Sequence, residues 1–405
     1  MAERVVIVGA GQGGLQAAAS LRAEGFAGPV TLIGDEPGLA YQRALFSKAY
    51  MKDGDAGRLA LKPESFFAQS DIDYRPATIV AAIDRAAGEV VLAGGARVGF
   101  DHLILATGAR NAVPPLPGLD LPGVHGLRGL ADAARLRDAM GRARRAVVIG
   151  GGFIGLEFAA VAAAAGVAVT VLEAADRLMA RAVTPPTSAR FLDFHRGTGV
   201  DVRLSTLGAG VAGTEVAEGV VLTDGTTLPA DLVLLATGVR PNVELAAEAG
   251  LAVANGIVVD GHLRTADPRI FAIGDCASFP LDGRATRLES VQAAADHARH
   301  VARSIAGQDQ PPYAALPWFW SDQGPLKLQI AGLSEGWNDT HVLHDAEGAV
   351  DTVLVFRAGL LIAVETVNQA GRHMAARKLL VGPPLLRETL AAAGWDLRAV
   401  LAAAG

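Results

Sequence analysis

The feature that most constrains the fold of this 405-residue chain is an internal repeat. The stretch VVIVGAGQGG near the N-terminus and the stretch VVIGGGFIG in the middle of the chain share one pattern, an apolar strand followed by Gly-x-Gly-x-x-Gly. The glycines are Gly9, Gly11 and Gly14 in the first copy and Gly150, Gly152 and Gly155 in the second. Each copy leads into an alanine-rich segment typical of a helix and then into a second β-branched strand.

The repeat extends well beyond the glycines. Residues 95–108 and 225–238 each place a glycine, an aspartate and an Ala-Thr-Gly sequence at the same offsets. Short alternating segments at 78–92 and 200–222 precede them and are typical of β-meanders. We therefore predict an α/β chain with two doubly wound dinucleotide-binding folds, each carrying a small antiparallel insert.

A single Gly-x-Gly-x-x-Gly is equally consistent with a tight turn, but here both copies follow a strand, precede a helix and have an acid at the next strand end. A pyrophosphate is expected at each helix N-terminus, where free N–H groups and the helix dipole favour anions. Asp35 and Glu173 are the candidate acceptors for ribose hydroxyls. Because Glu173 would repel a 2′-phosphate and Ala174 and Ala175 supply no cation, we predict a preference for NADH over NADPH.

Composition narrows the possible functions. The chain is 51% hydrophobic and 19% charged with a formal net charge of −6, which gives no support for binding nucleic acid or a membrane surface. The length predicts two or three domains. One cysteine excludes a disulfide framework, a CxxC redox pair and a four-cysteine metal site, and it fits a cytoplasmic location.

Targeting and metal signals are also weak. The N-terminal residues lack the basic region of a signal peptide. The most membrane-like run, residues 153–172, contains Glu157 and Gly166 and divides better into a helix and a strand. No metal site is predicted, and His341 and His344 are expected at the surface.

Three further motifs complete a resemblance to a known family: GDCA at 274–277, ESVQ at 289–292 and WFWSDQ at 318–323. With the repeat, they make the whole chain similar to the FAD-dependent, NADH-using ferredoxin reductases of bacterial haem-thiolate monooxygenase and Rieske dioxygenase systems. The resemblance implies two glutathione-reductase-like dinucleotide-binding domains plus a C-terminal α+β domain. The expected boundaries are 1–112 with 240–312 for FAD, 113–239 for NAD, and 313–405 for the C-terminal domain.

The resemblance also implies residue roles. The residues expected to contact FAD are Gly13, Asp35, Lys48, Val80, Arg128, Asp275 and Val291. Asp275 follows an apolar strand and could hold a ribityl hydroxyl, although a carboxylate there could equally cap the next turn.

Lys48 and Glu157 are expected to face the nicotinamide side of the flavin, where a Lys–Glu pair would help to place the ring and support negative charge near the reduced flavin. Without the resemblance they read as a surface lysine and a first-turn helix acid. Trp318 and Trp320 share one strand face, so Trp320 is expected either at an aromatic wall near the flavin or in core packing.

One departure from the family pattern precedes Lys48. Residues 41–48 read YQRALFSK, so Ala44, Leu45 and Phe46 replace a usual Pro-Pro-Leu. Since proline stiffens a loop, its loss leaves two alternatives open: a more mobile segment, or a different packing of Phe46.

The position of the single cysteine bears on the route of the electrons. Disulfide reductases of this fold carry redox cysteines on the helix after the first βαβ unit, and residues 41–52 contain none. Cys276 instead follows Asp275, and we interpret it as a small buried hydrophobe. Electrons would therefore leave the flavin, one at a time, for an external acceptor.

The expected acceptor is an acidic 2Fe–2S ferredoxin. Arg299 and Arg303 share one helical face and are the candidate docking residues, and Arg372, Arg377 and Lys378 form a second basic cluster. A solvated helix face is the alternative explanation. Alternative functions are a rubredoxin or monodehydroascorbate reductase, and a sensing flavoprotein resembling apoptosis-inducing factor.

Overall fold

Two parallel five-stranded sheets form the framework predicted from the repeated glycine motifs. The computed structural model describes residues 2–404. Within it the chain divides into two compact units. The first unit comprises the residues up to Gln42, Asp55–Arg110 and Val239–Ala315. The second unit comprises Arg43–Gly54, Asn111–Gly238 and the residues from Leu316 onward.

In the first unit, every strand of the central sheet runs parallel to its neighbours. In spatial order the strands are Ile72–Arg75, Val30–Ile33, Val5–Val8, His102–Leu105 and Ile270–Ala272. This is the doubly wound order, in which the first strand lies at the centre and the chain reverses direction across it. The central strand is buried throughout its length, as expected for a parallel strand covered on both faces.

Helices cover this sheet, and smaller sheets extend from it. The helices are Gln12–Ala23, Ser65–Gln69, Glu244–Glu248 and Val291–Ile305, with short turns at Ala56–Leu59 and Gly274–Cys276. The small sheets are Val80–Asp84, Glu89–Leu92 and Arg97–Gly99; Val253–Ala254, Gly256–Val258, Ala277–Leu281 and Arg284–Thr286; and Ala109–Asn111 with Val239–Pro241. The long helices pack closely, since a Cβ on Gly13 would lie 3.5 Å from the Ala294 carbonyl oxygen.

In the second unit, the repeat produces the same sheet order. The strands are Asp201–Arg203, Ala168–Leu172, Arg145–Ile149, Leu232–Leu235 and Val124–His125, all parallel. The accompanying helices are Leu130–Met140, Phe153–Ala164 and Pro185–Gly197, with helical turns at Arg43–Leu45, Phe46–Tyr50 and Met51–Asp53. The antiparallel insert consists of Gly208–Ala212, Gly219–Leu222 and Thr227–Pro229.

The C-terminal part of the second unit is an antiparallel sheet with helices. Its spatial order is Trp318–Gln323, Leu326–Gly332, Leu360–Val367, Val350–Arg357 and Asp339–His344. The helices that follow are Ala370–Val381, Arg387–Ala392 and Leu397–Ala404. Their buried side chains pack on the sheet in one cluster that includes Leu354, Val364, Ala376 and Leu390.

One detail of the sequence-based prediction changes. The predicted meander at 200–222 begins too early, because Asp201–Arg203 pairs in parallel with Thr170–Leu172 and so belongs to the central sheet. Alternation of side chains does not reveal which sheet a strand joins. The segment Arg43–Gly54, which we predicted within the FAD domain, lies in the second compact unit.

The run at 153–172 divides as predicted, into the helix Phe153–Ala164 and the strand Ala168–Leu172. No helix in the described part of the chain is both long and apolar enough to cross a membrane.

Candidate functional site

Both glycine motifs form turns that only glycine can adopt. Gly9 and Gly150 have φ angles of +106° and +114°. A Cβ on Gly9 would lie 2.2 Å from the Ala106 carbonyl oxygen, and a Cβ on Gly150 would lie 2.3 Å from that of Ala236. Each contact is with the Ala-Thr-Gly segment of the same repeat copy. The shared offsets in the sequence therefore reflect one tight backbone contact made twice.

The last glycines of the motifs pack each helix against its turn. A Cβ on Gly14 would lie 1.8 Å from the Gly9 carbonyl oxygen, and one on Gly155 would lie 2.3 Å from that of Gly150. The middle glycines differ, because a Cβ on Gly11 or Gly152 would meet nothing within 4 Å.

Those middle glycines cap helices Gln12–Ala23 and Phe153–Ala164, and neither helix N-terminus has a side-chain cap hydrogen bond within the described residues. Open space thus lies beside two sets of free helix N–H groups, the arrangement that accepts a pyrophosphate. The residues present therefore fit two dinucleotides, as FAD and a nicotinamide coenzyme require.

The two candidate ribose acids have different surroundings. Asp35 is exposed just beyond the strand Val30–Ile33. Glu173 is half-buried, and its carboxylate accepts hydrogen bonds from the backbone N–H of Gly151 at 2.7 Å and of Ala175 at 2.8 Å. The second carboxylate is thus held against its glycine turn, while each oxygen keeps a lone pair for a further donor.

Lys48 and Glu157 form an ion pair in the structure. The Lys48 Nζ lies 3.0 Å from Glu157 Oε1, and only 5% of the Glu157 surface is exposed. Lys48 comes from the π-helical turn Phe46–Tyr50, and Glu157 from the helix after the second glycine motif. Two residues 109 positions apart in the sequence thereby form a largely buried ion pair.

Further donors surround the Glu157 carboxylate. The Ser321 hydroxyl donates to Oε1 at 2.7 Å, the Asp322 backbone N–H approaches the same oxygen at 3.2 Å, and the Ser47 hydroxyl donates to Oε2. Burial raises the pKa of Glu157, and the Lys48 ammonium and the two hydroxyls oppose that rise. With a donor on each side and a cation at 3.0 Å, the site is built for the ionised carboxylate.

A second carboxylate and an indole complete the surroundings of Lys48. Asp322 lies 3.4 Å from the Lys48 Nζ, and the ammonium stands 5.7 Å from the centre of the Trp320 ring. The Trp318 and Trp320 rings lie on one face of their strand, 5.6 Å apart and both partly exposed. Arg377 stacks over Trp318 at 4.4 Å. The tryptophans are thus surface-facing and not buried in a core.

The altered segment before Lys48 is helical. Arg43–Leu45 forms a 3-10 turn and Phe46–Tyr50 a π-turn, so the chain without prolines continues as a helix. Phe46 is 2% exposed and packs edge-on against Tyr50, with ring centres 6.1 Å apart. Buried Phe46 thus anchors the turn that carries Lys48.

The other predicted contacts lie elsewhere. Val80 begins an antiparallel strand, Asp275 sits in the turn Gly274–Cys276, and Val291 begins the helix Val291–Ile305; all three are in the first unit and half-buried. Arg128 is in the second unit, where its backbone N–H donates to Asp132 at 3.2 Å.

Comparison with known proteins agrees with this geometry. The family described as pyridine nucleotide-disulphide oxidoreductase matches residues 3–298, and a family described as reductase C-terminal matches residues 318–401. The chain belongs to the pyridine nucleotide-disulphide oxidoreductase family.

Relatives and solved structures indicate which members of this family the chain resembles. A rhodocoxin reductase from Rhodococcus erythropolis is 47% identical over 98% of this chain and 94% of its own length. The ferredoxin reductase for the CYP199A2 system from Rhodopseudomonas palustris is 45% identical with a TM-score of 0.95, covering 98% of this chain and 100% of that one. The reductase in a covalent putidaredoxin reductase–putidaredoxin complex is 37% identical with a TM-score of 0.94, covering 99% and 98%. These findings confirm the predicted resemblance to ferredoxin reductases.

The family is named for disulfide chemistry, yet the only cysteine of this member is structural. Cys276 is fully buried, and its thiol lies 3.3 Å from the Ile273 carbonyl oxygen and 3.5 Å from that of Leu105. Burial raises the pKa of the Cys276 thiol, which disfavours the reactive thiolate. The interpretation of Cys276 as a buried hydrophobe agrees with these contacts.

The candidate docking arginines already have partners. Arg299 pairs with Asp296 at 2.7 Å and Arg303 with Glu24 at 3.1 Å, and both arginine side chains are nearly half exposed. Arg372, from the second cluster, binds buried Asp351 at 2.5 Å and so has a structural role. The exposed positive surface is therefore smaller than the sequence suggests.

Sequence reasoning missed the polar residues around Glu157. Ser47 and Asp322 flank predicted residues, and Ser321 and Gln323 alternate with the tryptophans in WFWSDQ, so their strand face could have been anticipated. The meeting of Ser47, Ser321 and Asp322 at Glu157 could not have been anticipated. His341, expected at the surface, is half-buried and stacks on Trp395 with ring centres 3.5 Å apart. No group of three metal-binding side chains occurs among residues 2–404.

Proposed function

We propose that this family member is an FAD-dependent NADH:ferredoxin oxidoreductase that supplies electrons to a bacterial oxygenase through a 2Fe–2S ferredoxin. The observation that carries the proposal is the match over essentially the whole chain, at 45% identity, to the ferredoxin reductase of the CYP199A2 system. The single buried cysteine supports it, because no disulfide within the chain can take the electrons.

We propose that residues 1–112 with 240–312 bind FAD, 113–239 bind NADH, and 313–405 form a C-terminal α+β domain. Gly9, Gly11, Gly13 and Gly14 would hold the FAD pyrophosphate. The residues proposed to hold the rest of FAD are Asp35, Val80, Arg128, Asp275 and Val291. Gly150, Gly152, Gly155 and Glu173 would bind the pyrophosphate and ribose of NADH. The open space beside Gly11 and Gly152 supports both assignments.

When bound, FAD would supply two-electron uptake from NADH and one-electron release to the ferredoxin. Lys48 would place a positive charge beside the cofactor, and Glu157 would hold that ammonium in one position through the 3.0 Å ion pair. The tryptophan rings of Trp318 and Trp320 would cover the cofactor edge and exclude water from it. All three contributions are positional and electrostatic, since no side chain of this site has to form a covalent bond.

The direct test is reduction of cytochrome c by the purified flavoprotein and NADH, with and without a 2Fe–2S ferredoxin encoded beside it. A large rise in rate on adding the ferredoxin is the expected result. A rubredoxin that serves as well as the ferredoxin would favour the rubredoxin reductase alternative. Rapid reduction of FAD by NADH without transfer to either protein would contradict the proposal, and slow reduction with every acceptor would favour the sensor.

Docking through Arg299 and Arg303 is tested by charge reversal. We expect the double variant Arg299→Glu, Arg303→Glu to raise KM for the ferredoxin about tenfold, because both side chains are nearly half exposed and would steer an acidic partner. Reduction of ferricyanide should remain unchanged. The matched control is Arg97→Glu, since Arg97 is also about half exposed and is likewise paired with surface carboxylates, those of Asp84 and Glu89. An equal effect of the control on KM would rule out a specific docking patch.

The coenzyme preference rests on Glu173. The Gly151 and Ala175 N–H groups hold its carboxylate in place, and the nearby Arg203 is already bound to Asp201 at 2.8 Å. A 2′-phosphate would meet this negative charge, so we expect kcat/KM for NADH to exceed that for NADPH. The opposite order in steady-state assays would refute this assignment.

The cytoplasmic location predicted from the sequence belongs to the same proposal. Cell fractionation with detection of the chain by antibody tests it.

A further inference from the structure

A line of hydrogen bonds runs from Glu157 into the interior of the second unit. The Ser321 hydroxyl donates to Glu157 Oε1 at 2.7 Å, and the Gln323 amide nitrogen lies 3.3 Å from the Ser321 oxygen. The Gln323 Oε1 in turn lies 2.8 Å from His195 Nε2. Ser321, Gln323 and His195 are each 0% exposed. The line joins the strand Trp318–Gln323 to the helix Pro185–Gly197.

The chemistry of the groups gives this line one direction. Ionised Glu157 can only accept, so it takes the single hydroxyl proton of Ser321. The Ser321 oxygen can then only accept from Gln323, which places the amide NH2 toward Ser321 and the amide oxygen toward His195. Because that amide oxygen can only accept a hydrogen bond, the facing nitrogen, His195 Nε2, must carry the ring proton. The charge on Glu157 therefore sets the tautomer of a histidine three hydrogen bonds away.

His195 is suited to the end of such a line. Its Nδ1 is buried and has no hydrogen-bond partner among the described residues, so a second ring proton would have nowhere to bond. Burial lowers the pKa of His195, which keeps the ring neutral. The second proton of the Gln323 amide points to the Met179 sulfur at 3.5 Å, so the amide is held on both sides.

The charged groups that face Glu157 are few. Lys48 belongs to the turn Phe46–Tyr50, and Asp322 belongs to the strand Trp318–Gln323. The strand Ala168–Leu172, packed on the same helix, has no ionisable residue. Lys52, Asp53 and Arg145, on the remaining neighbouring elements, are exposed. The hydroxyl donors and Lys48 are thus the groups that stabilise the buried carboxylate.

We infer that Ser321, Gln323 and His195 are positioning residues that keep Glu157 ionised and so hold Lys48 in place in the proposed nicotinamide site. This inference rests on the proposed function, because that function gives the ion pair its role. Hydrogen bonds aligned in one direction polarise one another. The bonds from His195 to Gln323 and from Gln323 to Ser321 therefore strengthen the hydrogen bond that Ser321 donates to Glu157. Replacing any of these three residues should therefore make the Glu157 carboxylate easier to protonate.

The experiment measures the carboxylate itself. Infrared spectra of the oxidised flavoprotein, recorded across pH, report the C=O stretch of a protonated carboxyl, and its absence in Glu157→Gln assigns it. We expect Ser321→Ala to lower the ratio of ionised to protonated Glu157 at a given pH by about tenfold or more, the effect of losing a hydrogen bond to a charged group. Gln323→Leu removes the bond behind the Ser321 donor, so it should lower the same ratio by a smaller factor. The protonated signal should therefore appear at higher pH than in the wild type.

The matched control is Ser188→Ala. Ser188 is a buried serine on the same helix as His195, but its hydroxyl donates to the Leu178 carbonyl oxygen at 2.7 Å, outside the line. It should leave the Glu157 signal unchanged. A Gln323→Leu or Ser321→Ala titration that coincides with the control would overturn the inference.

A second measurement on the wild-type protein reports the histidine at the end of the line. Nitrogen-15 NMR of the histidine rings should show His195, assigned by its absence in His195→Asn, as the neutral Nε2–H tautomer near neutral pH. An Nδ1–H tautomer or a charged ring would overturn the inference. Neither measurement uses NADH or a ferredoxin. If the infrared and NMR results are as expected but the ferredoxin is not reduced, only the proposed function is contradicted. If the ferredoxin is reduced but the infrared or NMR result differs from the expectation, only the positioning role is contradicted.

Discussion

Burial of one histidine in the first unit should make the stability of that unit depend on pH. His297 is 0% exposed, and its Nδ1 accepts a hydrogen bond from the Gly274 backbone N–H at 3.2 Å. The rings of Phe279 and Tyr313 stand edge-on against it, with centres 4.6 Å and 4.5 Å away. Burial lowers the pKa of His297 to about 3. The folded chain therefore holds this ring neutral at a site beside Asp275.

The sign and size of the effect follow from linkage. The pKa of His297 is near 6.5 when unfolded and about 3 when folded, so the unfolded chain binds the proton more readily between those values. The stability that the neutral ring contributes is fully present above pH 6.5 and is lost progressively as the pH falls toward 3. At pH 5 the loss relative to pH 7.5 is about 2 kcal/mol, since each pH unit below 6.5 costs about 1.4 kcal/mol.

The perturbation that isolates this histidine is His297→Asn. The asparagine carbonyl oxygen replaces the Nδ1 acceptor for Gly274 and does not titrate, so the cost of the smaller side chain is the same at both pH values. Hydrogen exchange of the helix Val291–Ile305, followed by mass spectrometry, reports the opening free energy of the first unit. From pH 7.5 to 5.0, protection of the wild type relative to the variant should fall about thirtyfold. Nearby His300 is present in both proteins, so its contribution to the pH dependence cancels when the two are compared. A change of less than about threefold would refute the linkage argument.

Three further expectations can be checked directly. Glu365 is fully buried, and its carboxylate accepts from the Thr184 N–H at 2.8 Å and hydroxyl at 2.7 Å at the start of the helix Pro185–Gly197, so Glu365→Ala should cost about 2 kcal/mol of stability, measured by thermal or urea unfolding. An unchanged midpoint would show that the helix start does not need this acceptor. Cys276→Ala should retain NADH-dependent ferricyanide reduction, and the native thiol should resist iodoacetamide until the chain unfolds; rapid labelling of the folded protein would contradict its burial. Gly14→Ala should prevent recovery of folded flavoprotein, because its Cβ would strike the Gly9 carbonyl oxygen, whereas Gly11→Ala should fold and bind FAD more weakly, as judged by FAD titration of the apoprotein. Equal behaviour of the two alanine variants would argue against an open pyrophosphate site beside Gly11.

The framework of this protein follows from local patterns in its amino-acid sequence. The glycine turns are recognisable because positive φ and a backbone contact at Ala106 or Ala236 admit only glycine, and those demands are local. The parallel order of each sheet follows from alternating strand and helix patterns. The pairing of Lys48 with Glu157, by contrast, was predicted through the family resemblance and not from any local pattern.

The tertiary structure alone decided which distant side chains meet. Ser47 and Ser321 lie 110 and 164 positions from Glu157, yet they donate to the same carboxylate. The same packing engages Glu173 with its turn, pairs Arg372 with Asp351, and moves Asp201–Arg203 into the central sheet. Backbone periodicity and φ preferences act over a few residues, so they specify strands, helices and turns. The contacts that set charge and hydrogen bonding form only when those elements pack, and no local pattern encodes them.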